Sequence, residues 1–168
     1  TTLFRSAAML KEYSHISFIL MGSGPEKDFL WSEKERLQLN NVDFIGVQPK
    51  SKMPEIVAAM NATVIPLRKL DLFLGAIPSK IFENLSMKKP IILGVDGEAR
   101  ELFIEDGKAG VFFEPENAQA LADAVVKVAS QPDLQRELGE NGFRYVADNF
   151  ERDKLASDFY EFLNKHNC

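Results

Sequence analysis

The feature that most constrains this chain is an alternation of short apolar β-type runs with amphipathic helical stretches. ISFILM (16–21), VDFIG (42–46), ATVIPL (62–67), PIILG (90–94) and GVFFE (110–114) are rich in β-branched and aromatic residues. Their apolar character is nearly continuous, as in strands buried on both faces. Elsewhere apolar residues recur at helical spacing: Met53, Ile56, Val57 and Met60; Leu121, Ala124, Val125 and Val128; Leu155, Phe159, Phe162 and Leu163. Each set reads as a core-facing stripe. Strands alternating with helices build βαβ units, which predicts an α/β fold with a doubly wound parallel sheet. The two ends depart from the alternation. A helix is expected over 3–13, before the first strand, and three helices over 117–130, 133–148 and 151–165 follow the last.

Composition narrows what such a chain does. Its 168 residues suffice for one domain, 1–168, with a full core. Apolar residues at 45% and charged residues at 27% are ordinary globular usage and exclude disorder. The formal net charge of −5 gives no general attraction to nucleic acid or anionic lipid, so an anion site must be local. The single cysteine, Cys168, permits no internal disulfide and suits a reducing, cytoplasmic compartment. No apolar run approaches the roughly 20 residues that span a bilayer, and no signal peptide is visible. The chain opens on TTLFRSAAML, without a methionine and already in helical pattern, which reads as a fragment or processed product.

Doubly wound sheets bind ligands at the carboxyl ends of their strands, so the residues just after each strand matter most. GSGPEK (22–27) follows the first strand. Gly22 and Gly24 let a ligand approach the backbone, Pro25 suits a first helical position, and a helix start there can cradle phosphate. A plain strand-to-helix turn fits equally well. The dinucleotide fingerprint fails because Lys27 stands where its third glycine belongs and no acidic residue closes the next strand. That argues against a nicotinamide dehydrogenase. Arg68 and Lys69 follow the third strand, either as ligand cations or as a solvated pair. After the fourth, Asp96-Gly97 makes a turn and a helix opens near Glu98, giving a second set of free N–H groups or a plain turn.

The stretch GAIPSKIFENLSMKKPII (75–92) is harder to explain as scaffolding. Ser79 is a candidate N-cap, which makes Lys80 the first helical residue, where a cation opposes the helix dipole. A capping box needs Glu or Gln three residues after the cap, but that residue is Phe82 and Glu83 comes one too late. Ile81, Phe82 and Leu85 face the core in this reading, with Lys80, Glu83, Asn84 and Met87 on the other side. Two accounts of Lys80 and Glu83 remain open. One is an i, i+3 ion pair contributing a few tenths of a kcal/mol. The other is an anion held between Lys80 and the helix start, with Glu83 accepting hydrogen bonds from a vicinal diol such as a ribose. Two helix starts together with Arg68 and Lys80 fit one diphosphate-bearing ligand.

The order of these motifs, from FILMGSGPEKDFL through NVDFIGVQPKSKMPEIVAAMNATVIPLR to AIPSKIFENLSMKKPIILGVDGEARELF, resembles the C-terminal, donor-binding domain of glycosyltransferase family 4 (group 1). It is similar in particular to bacterial fucosamine-transferase-like enzymes, which carry a PSKIFE-like segment. The resemblance implies one Rossmann-like half of a GT-B fold, a UDP-sugar donor, and retaining-type transfer of the sugar to a hydroxyl in surface polysaccharide or glycolipid synthesis. It implies no cofactor and no metal, and a cytoplasmic enzyme peripheral to the inner face of the membrane. Gly22, Ser23 and Gly24 then line the donor pocket, and the base lies near Gly46 and Val47. Glu83 matches the second glutamate of the Glu-x7-Glu motif and holds the ribose. Arg68 and Lys80 form the catalytic pair that neutralises the departing diphosphate, and amides of Gly97, Glu98 and Ala99 add donors.

The likeness has departures. The motif's first glutamate has no counterpart. The first strand of the family domain, its basic loop and the acceptor domain are absent from this chain, so the sheet is expected to carry a gap. Another segment or chain, as in an oligomer, fills the gap, or the strands pair differently. Catalysis by this chain alone is not expected. Two other readings are a UDP-sugar 2-epimerase-like domain and a non-catalytic nucleotide-binding module. The first needs acid–base groups that the sequence does not place: His15 precedes a strand at the wrong end, and His166 lies in the tail.

Overall fold

The computed structural model describes residues 1–165, so His166 and Cys168 lie outside the described residues. The first half runs α1 (Thr2–Met9), β1 (Phe18–Met21), α2 (Lys27–Leu37), β2 (Val42–Ile45), α3 (Met53–Ala59) and β3 (Thr63–Pro66). The second half runs α4 (Lys80–Ser86), β4 (Ile91–Gly94), α5 (Glu98–Arg100), β5 (Gly110–Phe112), α6 (Ala118–Ser130), α7 (Pro132–Asn149) and α8 (Arg152–Lys165). A wide π-helical turn, Glu101–Asp106, continues α5. Every expected apolar run becomes a strand.

The strands are parallel but form two sheets. β1 pairs with β2 from Phe18 opposite Val42 to Met21 opposite Ile45. β3, β4 and β5 pair in that order, with Thr63 opposite Ile91 and Ile91 opposite Gly110. Among the described residues no ladder joins β1 to β3. Among the described residues the doubly wound sheet is therefore interrupted between β1 and β3.

Helices on both sides hold the pieces together. All four residues of β4 are buried, and they alternate between two apolar clusters. Ile92 packs in a cluster with Phe4, Phe18, Val42, Phe113 and Leu121, which reaches both sheets. Ile91 and Leu93 pack in the other with Ile81, Leu85, Phe103 and Val146. Side chains of this size each contribute about 1.5–3 kcal/mol when buried. Ser6 Oγ, buried between α1 and α6, donates to the Ala118 carbonyl at 2.7 Å.

Four local expectations need correction. α2 begins at Lys27, whose N–H donates to the Gly24 carbonyl at 3.2 Å, so Pro25 lies in a turn before the helix. Ser79 does not cap α4: its backbone is already helical, and Ile81 N–H donates to the Pro78 carbonyl at 3.0 Å. Asn84 is on the core side, accepting from Thr63 Oγ1 and donating Nδ2–H to the Lys80 carbonyl at 2.7 Å. The stripe of α8 does not reach the core, with Leu155 46%, Phe159 61% and Phe162 54% exposed. Its period is helical, but neither apolar cluster extends to α8, and the Met53, Ile56, Val57 and Met60 stripe is likewise only half-buried and outside both clusters. Among the described residues no helix is long and apolar enough to cross a membrane.

Candidate functional site

Two groups of the singled-out residues stand at carboxyl ends of strands, one on each sheet. On the first sheet, Gly22 N–H donates to the Ile45 carbonyl at 3.0 Å, which ties the end of β1 to the end of β2. Ser23, Gly24, Gly46 and Val47 are exposed there, Val47 to 68%. A Cβ built on Gly22, Gly24 or Gly46 meets nothing within 4 Å. Packing inside this chain therefore gives no reason for Gly24 or Gly46 to lack a side chain.

On the second sheet, Leu67 N–H donates to the Gly94 carbonyl at 3.0 Å, joining the ends of β3 and β4. Arg68, Lys80, Glu83 and Glu98 emerge beyond this join and are exposed. The basic pair after β3 divides. Lys69 Nζ lies 2.7 Å from Glu114 Oε1, and its backbone N–H donates to Glu116 Oε2 at 3.3 Å. That hydrogen bond holds the Glu114 carboxyl below the ordinary carboxylate range and raises Lys69 above the ordinary amine range. The tie therefore persists across neutral pH and is released in acid, as Glu114 protonates, or in base, as Lys69 gives up its proton. Arg68 has no side-chain partner among the described residues.

Lys80 and Glu83 do not pair with each other, although they are at i, i+3 on α4. Neither side chain has a hydrogen-bond or ion-pair partner among the described residues. This chain closes comparable pairs elsewhere: Glu33 with Arg36 at 2.7 Å, Lys52 with Glu55 at 3.3 Å and Asp133 with Arg136 at 2.8 Å, all at the same spacing. The ion-pair account of the lysine is thus not what the structure forms.

The start of α5 is less free than the sequence implied. Gly97 N–H donates to Asp96 Oδ1 at 2.9 Å, and Glu98 N–H donates to the Leu74 carbonyl at 2.8 Å. Two of the three amides expected to face a ligand are already engaged. Arg100 is also committed, lying 3.0 Å from Glu105 Oε1 and 4.3 Å over the Phe112 ring. Motif reading missed the Glu98 carboxylate, which lies 4.0 Å from the position of a Cβ on Gly75 and has no partner among the described residues. No spacing rule links residues in two different loops. Among the described residues no group of His, Cys, Asp and Glu side chains is arranged to hold a metal. His15 precedes β1 at the end away from this edge, its ring 6.0 Å from that of Tyr13.

Arg68, Lys80, Glu83 and Glu98 are thus exposed charges without a side-chain partner among the described residues, groups whose chemistry suits phosphates and hydroxyls. Residues 1–145 match the family of glycosyl transferases group 1. An alpha-D-kanosaminyltransferase of Streptomyces kanamyceticus is 26% identical over 139 residues, 81% of this chain and 34% of that protein. The chain thus spans about a third of that curated relative's length. Among solved structures, Anabaena HepE in complex with UDP-glucose aligns at a TM-score of 0.80 and 21% identity, covering 98% of this chain and 44% of HepE. The C-terminal domain of the group 1 glycosyl transferase LpcC from Francisella tularensis aligns at 0.72 and 22%, covering 90% and 79%.

Proposed function

The chain belongs to the group 1 glycosyl transferases, and from that membership we propose that it is a donor-binding domain for a nucleotide sugar, with a UDP-sugar favoured. The observation that carries this reading is the set of exposed charges Arg68, Lys80 and Glu83 beyond β3, none with a side-chain partner among the described residues. Arg68 and Lys80 take the diphosphate, Glu83 takes the ribose hydroxyls, and Gly46 and Val47 border the base. Gly22, Ser23 and Gly24 form the opposite lip of the pocket, and the Ala99 region closes it near α5. The complex of HepE with UDP-glucose supports the choice of UDP.

The reaction is transfer of the sugar to a hydroxyl. The bond between the anomeric carbon and the diphosphate oxygen breaks as negative charge gathers on the leaving group. Fixed cations already in place at that oxygen stabilise the transition state without reorganising. The acceptor is held by a separate part of the enzyme, the reaction is retaining, and it serves polysaccharide or glycolipid synthesis on the cytoplasmic side of a membrane.

A thermal-shift panel of UDP, GDP, ADP and NAD tests the reading. UDP is expected to raise the melting temperature, by the equivalent of about 2.7 kcal/mol at a hundredfold excess over Kd, and NAD to leave it unchanged. Lys80→Ala and Glu83→Ala should each weaken UDP about tenfold or more, the loss of a charge-assisted hydrogen bond, with the melting temperature of the free chain unaltered. Normal UDP binding by both variants overturns the site.

A further inference from the structure

We infer that the Glu98 carboxylate accepts hydrogen bonds from the hydroxyls of the transferred sugar and so discriminates a nucleotide sugar from the bare nucleotide. The inference rests on the donor-site reading above and assigns a role to a group that reading leaves unused. Glu98 was a candidate for its amide, but that N–H is engaged by the Leu74 carbonyl at 2.8 Å. What remains available at this position is the side chain.

Three features support the assignment. The carboxylate is exposed and has neither ion pair nor hydrogen bond among the described residues, whereas Arg100, two residues on, is held by both Asp96 and Glu105. Its base is fixed: the Leu74 contact and the Gly97 backbone at φ 75 set where α5 starts relative to the loop that leads to Lys80. Finally, Glu98 Oε2 stands 4.0 Å from the Cβ position of Gly75, and the glycine puts no side chain of its own against the carboxylate.

The chemistry then follows from the ligand. A nucleotide sugar carries hydroxyls at both ends and a diphosphate between them. Cations suit the middle, and carboxylates suit the ends, because an ionised carboxylate is purely an acceptor and sugar hydroxyls donate. Glu83 serves one end on α4. Glu98, in the loop after the neighbouring strand β4, serves the other.

Calorimetric titrations with UDP, UDP-glucose, UDP-galactose and UDP-N-acetylglucosamine test this on the chain itself. The quantity read is the ratio of Kd for the tightest of the three nucleotide sugars to Kd for UDP. Glu98→Gln keeps the shape and removes the charge. It should leave UDP within about twofold and raise the ratio about tenfold, as expected for hydrogen bonds to a charged group. Lys80→Ala, by contrast, should weaken UDP and UDP-sugar together and leave the ratio unchanged. An unchanged ratio in Glu98→Gln overturns the inference while the donor site stands. Equal weakening of both ligands also overturns it, making Glu98 a nucleotide residue. Failure of the unsubstituted chain to bind UDP defeats the donor-site reading, and this inference with it.

Discussion

Gly97 governs how the second half of the site is built. Its φ of 75 lies in the region that L side chains rarely adopt, and a Cβ there would stand 2.2 Å from the Leu74 carbonyl oxygen. Gly97→Ala must therefore strain its own backbone and push away the atom that anchors Glu98. We expect a loss of about 2 kcal/mol or more, read as a melting temperature lower by roughly 4–8 °C. Gly24→Ala and Gly46→Ala should behave in the opposite way, because an added methyl meets nothing within 4 Å at either position. Their melting temperatures should match the parent, while UDP affinity falls because the methyl occupies the ligand's side of the edge. At this scale the sequence was legible in part. The Asp96-Gly97 turn could be read from local spacing, whereas for Lys80 and Glu83 the i, i+3 spacing left an ion pair and a ligand role both open. The engagement of Glu98 N–H by Leu74 could not be read there, since two separate loops create it.

The element that carries Lys80 and Glu83 is short, and α4 is held in place mainly by what packs on it. Ile81 and Leu85 bury one side, and Asn84 joins the helix to the start of β3 through Thr63. The C-terminal end rests on α7: Lys88 takes φ 56 after the helix, its Nζ lies 2.9 Å from Glu140 Oε1, and the same group lies 5.0 Å over the Phe143 ring. The backbones are so close that a Cβ on Gly139 would stand 2.2 Å from the Lys88 carbonyl oxygen. Gly139→Ala should thus separate α7 from α4 at a cost of about 1–3 kcal/mol, the usual range for overpacking. Denaturant melts measure that cost, and a parallel UDP titration should show weaker binding if α7 positions the site helix. Unchanged affinity in a destabilised variant would confine α7 to scaffolding. The sequence leads us to expect a helix over 133–148, and the structure has one over Pro132–Asn149. Its packing against α4 was not legible, because the close approach of Gly139 to the Lys88 carbonyl joins residues far apart in sequence. α8 shows the same limit: a sound helical period with no core surface beneath it.

The whole molecule is two parallel sheets bridged by one apolar cluster rather than by a continuous ladder. That difference has consequences for how it opens. β4 has neighbours on both sides and is buried throughout, whereas β1 has one neighbour and leaves Ile19 40% exposed. A unit with one ladder and half-open faces should unfold locally at lower free energy than the three-stranded sheet. Hydrogen exchange is expected to show protection of β1 and β2 amides about tenfold or more below that of β4 amides. The break also divides the candidate site, since Gly22–Gly24 and Gly46 belong to one sheet and Lys80, Glu83 and Glu98 to the other. A nucleotide sugar that engages both lips therefore does what the backbone does not, linking the sheets. Binding of UDP should raise protection in β1–β2 more than in β4, because stabilisation by a ligand appears wherever its contacts close an opening reaction. If UDP protects only the loops after β3 and β4, the glycine edge of β1–β2 is not part of the site. If it narrows the gap between the two sheets, the pocket spans the break, and the charges beyond β3 and the open glycines beyond β1 belong to one binding site.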